Sequence, residues 1–330
     1  MIKKGDTMEK VLLGVDLGGT TTKLALINVY GEIIHKWEVA TDISENGKNI
    51  TMNIAKAIDA KLEELNEPKS KMLGIGMGAP GPVNFTNGSI YEAVNLGWKD
   101  YPLKDLLEVE TSLPAVIDND ANMAALGEMW KGAGEGAKDL VCVTLGTGVG
   151  GGVIHNGKIV HGISGAAGEI GHMTVVTEGG APCNCGKVGC LETVASATGI
   201  VRLASEALGM ADEPSLLQER IQEGNPLSSK LLFQCALAGD SLSKSVVDRV
   251  GNYLGLALSH VGNAMNPEKI VIGGGVSNAG DILLEPVRKA FELYSFKRVR
   301  KSTKIHLATL GNDAGVIGAA WLIKNRLNPS

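Results

Sequence analysis

The stretch Val11-Leu12-Leu13-Gly14-Val15-Asp16-Leu17-Gly18-Gly19-Thr20-Thr21-Thr22 is an apolar run that ends in an aspartate and a turn rich in glycine and threonine. Such a run, bounded by turn residues, predicts a buried strand over Val11–Leu17. A second strand is expected over Lys23–Asn28 and, after a turn at Tyr30-Gly31, a third over Glu32–Val39. The stretch therefore predicts a three-strand meander with a glycine-rich first hairpin.

The same pattern returns later in the chain. Leu140–Leu145 leads into Gly146-Thr147-Gly148-Val149-Gly150-Gly151-Gly152, and Val153–His155 follows. An Asn156-Gly157 turn then separates this strand from another over Lys158–His161. Because an Asn-Gly pair between apolar runs is a strong hairpin signal, we expect a second copy of the meander.

The second halves of the two copies also correspond. Each has two further apolar strands, expected over Leu73–Gly78 and Ala115–Asp118 in the first copy and over Lys269–Ile272 and Ile305–Leu310 in the second. The last strand of each runs into an Asn-Asp pair, Asn119-Asp120 or Asn312-Asp313, at a position typical of a helix N-cap. We expect two similar α/β domains, over residues 1–130 and 131–330, with the C-terminal helix packing back on the smaller first domain.

Composition limits the classes of function. The chain has 330 residues, 44% of them hydrophobic and 20% charged, and its net charge of −5 argues against a general binder of nucleic acids or anionic membranes. No apolar run approaches the roughly 20 residues of a membrane span, and residues 1–7 lack the apolar core of a signal peptide. An odd number of cysteines, three of them clustered, fits a reducing compartment, so we expect a cytoplasmic protein.

Three of the five cysteines lie in Cys183-Asn184-Cys185-Gly186-Lys187-Val188-Gly189-Cys190, and His172 precedes them. Three thiolates and one imidazole are the ligands that tetrahedral zinc prefers, and a full set of four predicts a structural ion. The alternative is a buried histidine beside reduced thiols. We expect the zinc loop to be an insertion of the second domain at about residues 168–192, and Cys142 and Cys235 to be inert core residues.

Together these motifs resemble the ROK family of bacterial sugar kinases and regulators. The resemblance runs from Asp16 to the last helix, and the segment Cys183–Glu192 is most similar to the ATP-dependent glucokinases of Gram-positive bacteria. It implies the two-domain actin-like ATPase or hexokinase (ribonuclease H-like) fold, with an active-site cleft between the domains. It also implies ATP-dependent phosphorylation of D-glucose at the 6-hydroxyl, feeding glycolysis, and a homodimer.

The two glycine-rich hairpins are the candidate phosphate site, since small residues let backbone N–H groups approach phosphate oxygens. A later triple glycine resembles the family's adenosine-side loop, where missing side chains leave room for a flat nucleobase and ribose. A carboxylate at Asp16 could hold Mg²⁺ beside the β- and γ-phosphates. The alternatives are that the glycines only make tight turns or close packing and that Asp16 caps a turn. The resemblance assigns to the nucleotide and its ion the residues Asp16, Gly18, Gly19, Thr20, Thr21, Lys23, Thr147, Gly148, Gly273, Gly274 and Gly275.

Asp120 is the candidate catalytic base, because phosphoryl transfer needs an acceptor for the proton of the attacking hydroxyl. A helix N-terminus also favours the ionised carboxylate. The alternative is a helix cap, which Asp313 at the matching position makes plausible; the resemblance favours the base. It assigns to the sugar, besides Asp120, the residues Gly81, Asn119, Glu169, His172 and Glu192, with one ring nitrogen of His172 on zinc and the other on a sugar hydroxyl.

Three other functions remain open at this stage. The same machinery would serve N-acetylmannosamine, N-acetylglucosamine, fructose or mannose, and polyphosphate could replace ATP. A sugar-responsive repressor would carry a helix-turn-helix region ahead of the first strand, whereas ten residues precede Val11 and the chain is acidic. A non-enzymatic actin-like scaffold would not explain a metal loop beside carboxylates.

Overall fold

The computed structural model describes residues 10–327, so the N-terminal segment inspected for a signal peptide lies outside the described residues. The chain divides into two compact units. Unit 1 extends to Gly136 and also takes Ile159–Ala167 and the chain from Asn312 onward, whereas unit 2 comprises Ala137–Lys158 and Gly168–Gly311. The sequence-based division at residue 130 had placed Ile159–Ala167 in the second domain.

Unit 1 is built on a five-stranded sheet and a smaller three-stranded one. Its strands are β1 (Val11–Leu17), β2 (Thr21–Asn28), β3 (Ile33–Ala40), β4 (Met72–Ala79), β5 (Val83–Asn84), β6 (Ser89–Ala93), β7 (Trp98–Tyr101) and β8 (Ala115–Asn119). The larger sheet has the order β3-β2-β1-β4-β8, antiparallel across the first three strands and parallel from β1 to β8.

Unit 2 is built on a second five-stranded sheet. Its strands are β9 (Leu140–Leu145), β10 (Val149–His155), β11 (Lys158–Ile159), β12 (Lys269–Gly273) and β13 (Lys304–Leu307). Their order, β11-β10-β9-β12-β13, repeats that of unit 1, with an antiparallel β9–β10 hairpin and parallel β9–β12 and β12–β13 pairs. The internal repeat predicted from the sequence is therefore a repeat of sheet topology.

Helices flank both sheets. They are α1 (Ser44–Gly47), α2 (Ile50–Glu64), α3 (Leu103–Thr111), α4 (Asp120–Lys131), α5 (Glu192–Ala195), α6 (Ala197–Gly209), α7 (Leu216–Gln222), α8 (Ser229–Leu237), α9 (Ser241–Met265), α10 (Asp281–Tyr294), α11 (Lys297–Ser302) and α12 (Ala314–Leu327). Among the described residues, no helix is both long enough and apolar enough to cross a bilayer.

The C-terminal helix α12 packs closely on unit 1, against α4, β1 and β4. Three glycines make the approach possible, because a Cβ at Gly14, Gly76 or Gly127 would lie 1.7–2.1 Å from a backbone oxygen of α12. Small residues on both sides thus let backbones meet without intervening side chains, and the helix is joined to the sheet that carries the first glycine hairpin.

Two predicted strands are shorter than expected, and one sheet was missed. The third strand of the second meander ends at Ile159 rather than His161, and β13 ends at Leu307 rather than Leu310. The small sheet of unit 1 was not predicted, because β5 has two residues and β7 four, too few for a recognisable alternation of apolar and polar positions.

Candidate active site and metal centre

The Asn119-Asp120 step lies where β8 ends and α4 begins. Asn119 is the N-cap residue: its side-chain Oδ1 accepts a hydrogen bond from Ala121 N at 2.9 Å. Its Nδ2 donates to Gly81 O at 3.2 Å. Gly81 has φ of 89°, and a Cβ there would meet Glu92 O at 2.1 Å, so glycine is required. The structure therefore brings Gly81, Asn119 and Asp120 together within unit 1.

Asp120 is exposed and is the first residue of α4. Its Oδ1 also accepts from Ala121 N, at 2.8 Å. Asp313, at the matching position of the repeat, instead forms an ion pair with Lys36 at 2.6 Å. The two Asn-Asp steps are thus alike in sequence and differ in their surroundings.

Sequence reasoning missed two neighbours of this step, Asp118 and His161. The Asp118 carboxylate is buried, and its Oδ2 lies 2.7 Å from Nε2 of His161. The available signal was an acidic residue inside an apolar strand, because a buried carboxylate requires a partner. Nothing local in the sequence indicated that the partner is His161.

The β1–β2 hairpin carries the candidate phosphate residues of unit 1. Its turn is closed by Gly18 N donating to Thr21 O at 3.1 Å, and it leaves Thr20 exposed. Asp16 is half-buried at the end of β1, with Lys23 Nζ 3.8 Å from its Oδ2. Burial raises the pKa of the Asp16 carboxyl above its usual range, and the positive charge of Lys23 opposes that rise.

The β9–β10 hairpin is the matching feature of unit 2. Gly146 N donates to Gly148 O at 2.9 Å, and the carbonyl of Thr147 accepts from Thr198 Oγ1 at 3.1 Å. Oε2 of Glu192 accepts from Val149 N at 3.0 Å and lies where a Cβ on Gly148 would be 2.5 Å away. A side chain at position 148 would therefore have to displace the Glu192 carboxylate from its hydrogen bond to Val149 N.

The triple glycine after β12 is explained only in part by packing. Gly274 has φ of 84°, and a Cβ there would lie 2.4 Å from Leu145 O. Gly273 faces Ala308, whereas a Cβ on Gly275 would meet nothing within 4 Å. Close packing thus accounts for the glycine at position 274 without a bound nucleotide. The space beside Gly275 is compatible with a bound group.

The predicted zinc ligands converge in unit 2. One donor atom from each of His172, Cys183, Cys185 and Cys190 lies within 4.8 Å of all the others. Cys183 Sγ is 3.6 Å from His172 Nδ1, and Cys185 Sγ is 3.6 Å from Cys190 Sγ. A zinc–sulfur bond of about 2.3 Å places two sulfurs of a tetrahedral site about 3.8 Å apart. The four residues therefore fit a tetrahedral zinc ion.

Backbone turns bring these ligands together. Cys183 N donates to Lys187 O at 2.8 Å, and Gly186 N returns to Cys183 O at 3.0 Å. Gly189, with φ of 73°, passes so close to Val176 O that a Cβ would lie 1.9 Å away. The short 3₁₀ segment Ile170–His172 presents the histidine. The two glycines within the cysteine segment thus let it fold into a compact loop, the candidate metal loop.

The three predicted sugar residues of unit 2 surround this metal centre. His172 turns Nδ1 to Cys183 and its other ring nitrogen, Nε2, to Glu169, whose Oε2 is 3.9 Å away. Oε1 of Glu192 lies 3.9 Å from Cys183 Sγ. Glu169 is exposed and His172 half-buried, so a polar surface borders the metal ligands.

The repeated sheet order and the paired glycine hairpins define the fold class as that of the two-domain actin-like ATPases and hexokinases. The solved structure of a ROK family glucokinase from Streptomyces griseus, in complex with glucose and AMPPNP, matches with a TM-score of 0.78 and 34% identity, over 94% of this chain and 98% of that one. The chain belongs to the ROK family, whose model matches residues 12–326.

Two relatives match over almost their whole length. A glucokinase from Halalkalibacterium halodurans is 56% identical over 316 residues, which is 96% of each chain. A glucokinase from Thermotoga maritima is 38% identical over 318 residues, covering 96% of this chain and 98% of its own.

Proposed function

We propose that this protein is an ATP-dependent glucokinase that transfers the γ-phosphoryl group of ATP to the 6-hydroxyl of D-glucose, yielding ADP and glucose 6-phosphate for glycolysis. The observation that carries the proposal is the exposed Asp120 at the start of α4, with the amide of Asn119 fixed beside it. The 56% identity to a glucokinase over 96% of the chain supports glucose as the substrate.

Asp120 is the proposed catalytic base. In phosphoryl transfer the protein mainly positions the reactants and accepts the proton of the attacking hydroxyl. Asn119 fills the N-cap position, so the capping requirement of α4 does not by itself account for an acidic residue at position 120. Asp120 would receive the 6-hydroxyl proton as the oxygen attacks the γ-phosphorus.

The sugar would be held by hydroxyl contacts. We assign these contacts to Gly81 and Asn119 beside the base, and to Glu169, His172 and Glu192 at the metal centre. Carboxylates, an amide and an imidazole suit a polyol, because each accepts or donates in a fixed direction and can leave no hydroxyl unpaired.

The nucleotide would contact both hairpins and the triple glycine. We assign the phosphates to Gly18, Gly19, Thr20, Thr21, Lys23, Thr147 and Gly148, and the adenosine to Gly273, Gly274 and Gly275. Asp16 would hold Mg²⁺, which neutralises charge on the phosphates when it is bound. The environment of Asp16 suits a cation, because burial disfavours its uncompensated negative charge.

Zinc at His172, Cys183, Cys185 and Cys190 would be structural. With four protein ligands no position is open for Lewis-acid chemistry, so the ion would fix the loop. Because His172 Nδ1 faces Cys183, its Nε2 remains directed to the side of Glu169. The metal centre would therefore orient sugar-binding groups.

None of the five cysteines forms a disulfide bond, and we propose that the protein is cytoplasmic. We further propose that the protein is a homodimer.

Asp120→Asn tests the catalytic assignment. The amide keeps the size and the hydrogen-bonding reach of the carboxylate but cannot accept the proton, so turnover should fall by about 10²–10⁴-fold while glucose binding is largely retained. Calorimetry of glucose binding and a coupled assay of ADP release measure the two properties. Asp313→Asn is the matched control and should keep near wild-type turnover. Near-normal turnover in Asp120→Asn would remove Asp120 as the base.

The substrate assignment is tested by comparing kcat/KM across glucose, fructose, mannose, N-acetylglucosamine and N-acetylmannosamine, with ATP or polyphosphate as donor. Glucose with ATP should give the highest value. A higher value for fructose or an N-acetyl sugar would mean that the same phosphate machinery serves a different hexose. Absence of phosphorylation with every sugar and donor would remove the kinase proposal.

A further inference from the structure

A buried carboxylate and a half-buried imidazole form a pair beside the Asn119-Asp120 step. The side chain of Asp118 is 4% exposed and that of His161 26%, and Oδ2 of Asp118 lies 2.7 Å from His161 Nε2. The two residues are 43 positions apart in the sequence. None of the nucleotide, sugar or metal assignments above uses either of them.

Asp118 organises the backbone that enters α4. Its Oδ1 accepts from Asn119 N at 2.7 Å and from Asn122 Nδ2 at 2.8 Å. One carboxylate oxygen thus holds both the residue before Asp120 and a residue within the first turn of the helix. Its other oxygen is the one that faces His161, so both oxygens have partners.

His161 is itself held in place. Its ring stacks on that of Phe85, with centroids 4.8 Å apart and planes inclined by 17°. Its carbonyl accepts from Ala167 N at 3.1 Å, which folds the segment Ile159–Ala167 back on itself within unit 1. The imidazole is therefore presented edge-on to Asp118 by contacts that do not involve α4.

Loss of the imidazole would affect Asp118 first. A buried carboxylate that loses its hydrogen-bond donor still carries the unfavourable free energy of desolvation. It responds by moving, by binding water or by taking up a proton. Each response weakens or redirects the hydrogen bonds that Oδ1 makes to Asn119 and Asn122. Because reactive groups must be placed within a fraction of an ångström, a small displacement of the step has a large effect on rate.

We propose that His161 is a positioning residue for phosphoryl transfer, acting through Asp118 to hold Asn119 and Asp120 in their reactive geometry. The inference rests on the proposed function, in which Asp120 accepts the hydroxyl proton. It assigns a role in the rate of the chemical step to the segment Ile159–Ala167, which carries no substrate ligand.

Two substitutions of His161 separate positioning from general stability. His161→Ala removes the donor and should lower kcat by about 10–100-fold, with KM for ATP changed less than about twofold. His161→Gln places an amide N–H near the position of Nε2 and should recover most of that loss. His155→Ala is the matched control: His155 also pairs with an aspartate, Asp139, but on the exposed surface of unit 2, and it should leave kcat unchanged.

Thermal unfolding and the folded fraction of each variant are measured alongside the kinetics, and kcat is referred to folded protein. If His161→Ala does not fold, His161→Asn replaces it, because its amide is one methylene too short to reach Asp118. A kcat for folded His161→Ala within twofold of wild type would overturn the proposal, and so would a His161→Gln variant no faster than the Ala or Asn variant. An inactive wild-type protein, or an active Asp120→Asn, would instead overturn the proposed function.

Discussion

At the residue scale, the candidate metal centre places three thiols and an imidazole at distances that suit a cation. Burial raises the pKa of the Cys190 thiol to about 12, and the nearby sulfurs of Cys185 and Cys183 add to that rise. A bound zinc ion favours the deprotonated ligands and thereby relieves this cost. Metal binding and the conformation of the loop should consequently be linked.

Cys185→Ser is expected to reduce zinc content and glucose affinity together. Loss of one ligand loosens the loop that directs His172, so KM for glucose should rise by about 10–100-fold, while the turnover of saturated enzyme falls less. Zinc is measured by atomic absorption and KM by the coupled assay. Cys235→Ala changes a core thiol of the same unit and should leave zinc content unchanged. Full zinc content in Cys185→Ser, or zinc loss with unaltered KM, would contradict the expectation.

The Asp118–His161 pair also predicts a pH dependence of stability. The hydrogen bond from His161 to Asp118 raises the pKa of the imidazole above its usual value of 6.5; burial opposes this rise, and the negative charge of Asp118 adds to it. A raised pKa in the folded state means that the pair stabilises fully below about pH 6.5 and loses that contribution as pH rises through the folded-state pKa.

The difference in Tm between wild type and His161→Gln should therefore be larger at pH 6 than at pH 9. Glutamine keeps a donor but does not titrate, so the comparison isolates the imidazole charge. Calorimetric scans at the two pH values provide the measurement, with His155→Gln as a second histidine variant for reference. An equal difference at both pH values would show that protonation of His161 does not contribute to stability.

At the element scale, α12 depends on glycines in the elements that it contacts. A Cβ at Gly76 of β4 would lie 1.7 Å from Ala319 O, and one at Gly127 of α4 would lie 2.1 Å from Ala314 O. Backbone atoms cannot yield as a flexible side chain can, so any substituent must displace the whole helix.

Gly76→Ala should lower the free energy of unfolding by about 1–3 kcal/mol or more, because one methyl group enters a backbone contact. Urea titration followed by circular dichroism measures the change. Gly209→Ala is the control, since a Cβ there meets nothing within 4 Å, and its effect should stay within about 0.5 kcal/mol. Unchanged stability of Gly76→Ala would mean that α12 can shift at little cost.

At the scale of the whole molecule, the two units share a sheet of the same strand order but carry different additional elements. Unit 1 adds the small β5–β7 sheet and takes α12. Unit 2 carries the candidate metal loop, and the described residues of unit 1 contain no matching cluster of histidine and cysteine ligands. The two glycine hairpins are equivalent by topology but differ in their carboxylates: Asp16 lies beside Lys23 at the hairpin of unit 1, whereas Glu192 accepts from Val149 N at the hairpin of unit 2.

The proposed homodimer predicts a sedimenting species of about twice the chain mass of 34.4 kDa. The dimer is the assembly that the family resemblance implies. Sedimentation velocity over a hundredfold range of concentration, with and without glucose, provides the measurement. A single species at the mass of one chain across that range would exclude the dimer.

The sequence by itself determined the features that depend on residues close together in the chain. Apolar runs bounded by turn residues predicted the strands of both meanders. Spacing predicted the candidate metal loop, because three cysteines within eight residues need only two glycine turns to converge. The Asn119-Asp120 step was predictable as a helix start, since capping is a property of neighbouring residues. These signals lie within a few residues of the structures that they specify.

Only the tertiary structure decided which distant residues meet. His161 and Asp118 are 43 positions apart, and nothing near either residue specifies the other. The tertiary structure likewise assigned Ile159–Ala167 to unit 1, whereas the sequence had placed that segment in the second domain. For α12, which the sequence already predicted to pack on the first domain, the tertiary structure added the backbone contacts that Gly14, Gly76 and Gly127 permit. The physical reason is that a long-range contact depends on the packing of whole elements, whereas hydrogen bonding within a turn or strand is a property of the local chain.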